Sequence, residues 1–132
     1  MAEVLTTDED PSILLVEDDP DLAATLERYL TAHRRKVAVA ESTEAATLLL
    51  QAGLRPGLVI LDINLPGETG WDLLRSDAYC DAGSPSVVVA SATDVSPGRL
   101  REIGAAGYLP KPFPIDTFLA TVDRFAPQVA AS

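Results

Sequence analysis

Leu58-Val59-Ile60-Leu61 is an unbroken apolar run that follows Pro56-Gly57, meets a single carboxylate at Asp62 and breaks at Pro66-Gly67. Without polar alternation, such a run reads as a strand covered on both faces, the mark of a parallel sheet flanked by helices. The pattern recurs along the chain. Ser12-Ile13-Leu14-Leu15-Val16 ends in Glu17-Asp18-Asp19-Pro20, and Ser86-Val87-Val88-Val89-Ala90 ends in Ser91-Ala92-Thr93. Gly107-Tyr108-Leu109 ends in Pro110-Lys111-Pro112, and Val37-Ala38-Val39-Ala40 supplies one more strand. In open α/β sheets, ligands bind in the crevice beyond the carboxyl ends of the strands. The polar residues at these ends are therefore the candidates for function.

Between the runs the apolar period changes from strand to helix. Leu22, Leu26, Tyr29, Leu30 and His33 share helical spacing, and Asp19 before Pro20 suits an N-cap with proline at the first helical position. Arg34-Arg35-Lys36 reads as a solvated turn. Ser42 caps a helix over 43–52 that turns Ala45, Leu48, Leu49 and Ala52 inward and stops at Gly53. A third helix runs over 70–80 with Trp71, Leu74 and Ala78 on one side. Ser96-Pro97 starts a short fourth with Leu100 and Ile103 inward, ending near Gly104. Ile115, Phe118, Leu119, Val122 and Ala126 form the stripe of the last.

Five strands alternating with five helices predict right-handed crossovers and a parallel sheet. The expected fold is α/β, a flavodoxin-like (βα)5 three-layer sandwich of strand order 2-1-3-4-5, with the switch point between strands one and three. That order sets Glu17, Asp18 and Asp62 side by side, with Ser91 and Lys111 flanking them. The domain is expected over 12–126, with a flexible acidic tail at 1–11 and a short tail at 127–132.

Composition narrows the function. A net charge of −10 over 132 residues argues against direct binding to nucleic acid or anionic lipid. No Lys or Arg precedes Arg28, whereas Glu3, Asp8, Glu9, Asp10, Glu17, Asp18, Asp19 and Asp21 do. There is no run long enough for a membrane span and no signal-peptide pattern. The single Cys80 fits a reducing cytoplasm.

Three carboxylates about 5 Å apart at an effective dielectric near 20 repel by roughly 3 kcal/mol per pair. Such a cluster takes up protons or binds a cation, and oxygen ligands without His or Cys point to Mg²⁺. Ser91 offers a hydroxyl donor, and Lys111 is a point charge suited to a phosphoryl oxygen. Together the parts describe in-line phosphoryl transfer onto Asp62. Each residue also has a plainer reading. Asp62 could cap a turn, Ser91 could be a turn residue, and Glu17 a solvated strand-end acid. Lys111 could be a surface lysine in a proline-rich loop, and Tyr108 a half-buried aromatic. His33 reads as a surface residue, Trp71 as packing and Cys80 as an unreactive thiol.

The set taken together resembles a known family. Val16-Glu17-Asp18-Asp19, Leu61-Asp62-Ile63-Asn64-Leu65-Pro66-Gly67, Ser91-Ala92 and Gly107-Tyr108-Leu109-Pro110-Lys111-Pro112-Phe113 resemble the receiver-domain signature of two-component response regulators. The resemblance covers about residues 12–126. It implies that Asp62 accepts a phosphoryl group from a histidine kinase or phosphotransfer protein, forming an acyl phosphate. Asp18, Asp62 and the backbone carbonyl of Asn64 would ligate Mg²⁺, with Glu17 acting through water. Lys111 would contact the phosphoryl group ahead of a cis bond to Pro112. Ser91 would move toward the phosphate, Tyr108 would swing inward behind it, and Ala92 would leave the approach open.

A cytoplasmic signalling domain follows, catalysing only its own phosphorylation and dephosphorylation. It would act on a downstream protein target, with a phosphorylation-dependent dimer as one form of output. If the chain is whole, it would be a stand-alone receiver of chemotaxis or phosphorelay type; if it is a fragment, an output domain or kinase belongs to it. Glu17 stands where Asp is common and Ser91 where Thr is common. The segment from Ser91 to Gly104 is about two residues short, which leaves a small fourth helix on the usual output face. Two other readings remain at this level. A pseudo-receiver would use the same fold as an unphosphorylated docking module. A haloacid-dehalogenase-like Mg²⁺ phosphatase would need an acid where Asn64 stands.

Overall fold

Apolar runs of four to six residues, separated by helices, build a single five-stranded parallel sheet in a computed structural model that describes residues 13–64 and 69–126. The strands are β1 (Ile13–Val16), β2 (Val37–Ala40), β3 (Leu58–Asp62), β4 (Ser86–Ser91) and β5 (Gly107–Pro110). Their order is β2-β1-β3-β4-β5, the expected one. Val16 pairs with Leu61 and Asp62 with Ala90, so the carboxyl ends of the three central strands finish at one level. The expected tails at 1–11 and 127–132 and the Pro66-Gly67 break lie outside the described residues.

Successive strand side chains point to opposite faces, and both faces are dry. Leu14, Val16, Val59, Leu61, Val87 and Val89 meet α2 (Thr43–Gln51), α3 (Gly70–Leu74), α4 (Asp77–Asp81) and α5 (Pro97–Ile103). Ile13, Leu15, Leu58, Ile60, Val88 and Leu109 meet α1 (Pro20–Ala32) and α6 (Ile115–Phe125), with Phe118 fully buried against Phe113. Each such large side chain stabilises the fold by about 1.5–3 kcal/mol. The caps fall where the sequence places them. Asp19 accepts from the amides of Asp21 and Leu22, Ser42 from Ala45 and Ser96 from Arg99, and Gly104 ends α5 at φ 71°.

Several local expectations are corrected. The buried residues of α2 are Thr43, Ala46 and Leu50, whereas Ala45 and Leu49 are half-buried, Ala52 is exposed and Leu48 is 66% exposed. A segment of consecutive alanines and leucines does not define its own phase, and the Ser42 cap sets it instead. On α1, Ala23 joins Leu26 and Leu30 inside and Tyr29 is exposed, while His33 lies at the surface as expected. The third helix is two, so among the described residues six helices accompany the five strands. Ser76 accepts from the Tyr79 amide and starts α4 afresh, and Leu73, rather than its half-buried neighbours Trp71 and Leu74, is fully buried. Arg35 is not solvated: its side chain is 4% exposed, bonded to Asp123 at 2.7 Å and to the carbonyl of Ala126. This arginine fastens the end of α6 beneath the α1–β2 turn.

Candidate functional site

Four strand ends deliver the site. Glu17 and Asp18 follow β1, Asp62 closes β3, Ser91 closes β4 and Lys111 follows β5. Because β1 and β3 are neighbours whose next strands run outward in opposite directions, their ends form the crevice of the switch point. The amide of Lys111 donates to the carbonyl of Ser91 at 2.8 Å, which ties the lysine to the end of β4. The Lys111-Pro112 bond is cis, as expected.

The ammonium of Lys111 donates to Glu17 Oε1 at 2.7 Å and to Asp62 Oδ2 at 3.1 Å. Glu17 is 3% exposed and Asp62 5%. The second oxygen of each carboxylate is also engaged, Glu17 Oε2 by the Asp19 amide at 3.2 Å and Asp62 Oδ1 by the Asn64 amide at 3.0 Å. Burial raises the Glu17 pKa above its ordinary value, and the Asp62 charge adds to that. The bond and charge of Lys111 and the Asp19 amide offset only part of it. Burial also opposes the Lys111 charge, yet its bond to Glu17 and the charges of Glu17 and Asp62 prevail and raise its pKa.

Asp18 completes the acidic set and is exposed. One oxygen from each of Glu17, Asp18 and Asp62 lies within 4.8 Å of the others. Three carboxylates against one ammonium leave two negative charges, the complement of one divalent cation. The donors are all hard oxygens, so these residues fit Mg²⁺ in charge and kind.

A helix backs this acidic wall closely. The amide of Gly70, at the start of α3, donates to the carbonyl of Ile63 at 3.2 Å. A Cβ at Gly70 would lie 2.9 Å from the carbonyl oxygen of Asp62, 3.0 Å from Leu61 Cγ and 3.1 Å from Ile63 Cα. Only a glycine fits there.

Every predicted site residue reaches the crevice: Glu17, Asp18, Asp62, Asn64, Ser91 and Lys111, with Tyr108 beside it. Ser91 is buried, and Tyr108 is half-buried on β5. Two contributions escaped sequence reasoning. The side-chain amide of exposed Asn64 donates to Ser91 Oγ and to Thr93 Oγ1, both at 3.2 Å. Thr93 also binds Ser91 through its own amide and holds the Tyr108 hydroxyl on its carbonyl. The available signal was Ser91-x-Thr93, two hydroxyls spaced for a turn at a strand end.

Comparison with known proteins fits this geometry. A family model described as the response regulator receiver domain matches residues 13–123. The DNA-binding response regulator MtrA of Mycolicibacterium smegmatis is 38% identical over 112 residues, covering 83% of this chain and 48% of its own. Matched curated relatives extend beyond the shared region, and the chain spans from 25% to 48% of their length. Among solved structures, the non-phosphorylated HemR receiver domain of Leptospira biflexa superposes with a TM-score of 0.79 at 32% identity. That match covers 93% of this chain and 99% of HemR. TrrA of Thermotoga maritima, a response regulator solved with Mg(2+)-BeF, superposes at 0.73 and 26% identity, covering 86% and 96%.

Proposed function

The chain belongs to the family of response regulator receiver domains, and from that premise we propose that phosphorylation of Asp62 is the event that switches it. The observation that carries the proposal is the Lys111 ammonium held between the buried carboxylates of Glu17 and Asp62 at the switch point of the sheet. An acceptor carboxylate must be oriented and kept ionised, and a cation must be ready where phosphoryl charge arrives.

In the proposed reaction an oxygen of Asp62 attacks the phosphorus of a phosphohistidine on a histidine kinase or phosphotransfer protein. The P–O bond forms as the P–N bond breaks, and the imidazole keeps the electron pair and takes a proton from solvent. Lys111 exchanges its contact with Asp62 Oδ2 for a phosphoryl oxygen, while the Asn64 amide continues to orient Oδ1. Asp18, Asp62 and the Asn64 carbonyl, with Glu17 through water, would hold Mg²⁺, which supplies charge neutralisation between anionic donor and anionic acceptor. Ser91 and Tyr108 then convert the new charge into an altered surface for a downstream protein target.

The family is a signalling domain rather than a classical enzyme. Its restriction to self-phosphorylation and self-dephosphorylation in this chain is part of the proposal. So are the 12–126 boundaries with tails on either side, a cytoplasmic setting, a phosphorylation-dependent dimer and the absence of direct nucleic-acid contact. Among the described residues, no helix is long and apolar enough to cross a membrane. The phosphatase alternative lacks its general acid, because Asn64 stands at that position and its amide donates to Ser91 and Thr93.

Intact-mass spectrometry after incubation with acetyl phosphate, with and without Mg²⁺, tests the reading. One metal-dependent phosphoryl adduct, lost in Asp62→Ala, is expected. An adduct at wild-type level in Asp62→Ala would refute the acceptor assignment. No adduct in the wild-type chain, with Mg²⁺ binding also absent, would favour the unphosphorylated docking module.

A further inference from the structure

At the carboxyl end of β4 a neutral set of hydrogen bonds lies next to the charged one. The Asn64 amide donates to Ser91 Oγ at 3.2 Å, and the backbone amide of Thr93 donates to the same oxygen at 3.0 Å. Ser91 Oγ and Thr93 Oγ1 are themselves 3.0 Å apart. A hydroxyl oxygen has two acceptor sites and one proton to give. Both acceptor sites of Ser91 are taken by the two amides, so the hydrogen in the Ser91–Thr93 contact is Ser91's own, and Thr93 Oγ1 accepts it. Ser91 is 1% exposed, which leaves water little access to that proton. Thr93 is exposed and regains solvent when the contact opens.

We infer that Thr93 is a positioning residue that holds the Ser91 proton in the resting protein, so that Ser91 can turn to a phosphoryl group on Asp62 only by releasing it. The inference rests on the acceptor reading of Asp62 and adds to it the bond that opposes the switch. Two connections make the device coherent. The backbone amide of Asn64 is bonded to Asp62 Oδ1 and its side chain to both hydroxyls, so one residue spans acceptor and latch. The Tyr108 hydroxyl donates to the Thr93 carbonyl at 3.2 Å, so any movement of Thr93 on release is felt on β5.

The test is the affinity for beryllium fluoride with Mg²⁺, a phosphoryl stand-in, in the wild-type chain, Thr93→Val, Thr93→Ala and Thr93→Ser, each with and without Ser91→Ala. Removing the Thr93 hydroxyl strands the Ser91 proton in the resting state alone. Thr93→Val and Thr93→Ala should therefore bind about threefold to tenfold more tightly, the scale of one neutral hydrogen bond. Thr93→Ser should match the wild type, and in the Ser91→Ala background no Thr93 substitution should matter. Unchanged or weaker binding by folded Thr93→Val and Thr93→Ala, or a gain that survives Ser91→Ala, would overturn the inference. A second readout needs no ligand: the Ser91 hydroxyl proton should exchange slowly by NMR in wild type and Thr93→Ser, and rapidly in Thr93→Val. Equal exchange in all three would overturn the latch. Failure of the wild-type chain to bind beryllium fluoride would instead count against Asp62 as acceptor, leaving exchange to decide on Thr93.

Discussion

On the β1–β3 side of the crevice, Glu17, Asp62 and Lys111 meet as charges with little water around them, at 2.7 and 3.1 Å. On the β4 side, Ser91, Thr93, Asn64 and Tyr108 meet as neutral donors and acceptors, at 3.0 to 3.2 Å. Hydrogen bonds to charged groups contribute about 1.5–3 kcal/mol each, and neutral ones about 0.5–1.5. The first side is therefore hard to rearrange and suited to holding a reacting group in place. The second exchanges partners at small cost, as a switch must. Removing a member of the charged side should abolish chemistry or unfold the site, whereas removing a member of the neutral side should shift an equilibrium.

The largest effect belongs to Asp62, the proposed acceptor. Asp62→Ala should eliminate the acetyl-phosphate adduct entirely, and circular dichroism should show a folded chain, since that variant removes one buried negative charge from a cluster with two in excess. Adduct formation elsewhere on the chain would end the division into chemical and switching sides.

Lys111→Ala comes next. It leaves Glu17 and Asp62 buried without their shared cation, and losing one partner of such a group costs on the order of 3–5 kcal/mol. The pH dependence carries a definite sign. The native Glu17 pKa lies above its ordinary value of 4.5, so the folded state holds this proton more tightly than the unfolded chain. Between those two values stability falls as pH rises. Lys111, whose pKa is raised above 10.5, adds stability that is complete below 10.5 and is lost as pH climbs through its native value. Without the lysine, the Glu17 pKa should rise further. Urea denaturation should then find the Lys111→Ala deficit larger at pH 7 than at pH 5. An equal deficit would mean that the lysine's stem, not its charge, supports the fold.

Gly70→Ala probes the same side from behind. Its Cβ would meet the Asp62 carbonyl and the Ile63 backbone, neither of which can rotate away. A loss of about 1–3 kcal/mol in denaturant unfolding is expected, the usual cost of overpacking, together with slower labelling. A variant of full stability would show that the end of β3 yields more easily than its burial implies.

The charged side was legible in the sequence because each member is written next to its own strand. An apolar run that stops at Glu17-Asp18, at Asp62 or before Lys111 states both the strand and what its end carries, and the sheet order follows from parallel βαβ rules. On the neutral side Ser91, Asn64 and Tyr108 were named, but Thr93 and the bonds were not, because they depend on where the side chains of Asn64 and Thr93 turn after their strands end. Only the spacing from Ser91 to Thr93 hinted at them. The same limit explains Arg35, whose partners Asp123 and Ala126 lie at the far end of the chain. It explains α2 as well, where apolar residues on every face leave the cap to choose the buried stripe. The split of the third helix turns on a single hydroxyl, Ser76, competing with continuation of the helix.

Tyr108→Phe should have the smallest effect, and it sets a lower bound for the neutral side. The variant deletes one bond, from the Tyr108 hydroxyl to the Thr93 carbonyl, and leaves the half-buried ring in place. Stability should change by about 0.5 kcal/mol or less, since the carbonyl of exposed Thr93 can bond to water instead. Acetyl-phosphate labelling should stay within about twofold of wild type, a difference of roughly 0.4 kcal/mol at most, because no group that holds Asp62 is touched. What should change is the Thr93 segment: loss of its anchor on β5 should raise amide hydrogen exchange at Thr93, while exchange at Asn64 stays as it was. Labelling that collapsed toward the Asp62→Ala level would show that the hydroxyl belongs with the charged side. The two halves would then be one unit, and the Tyr108 bond would be part of the chemistry rather than of its readout.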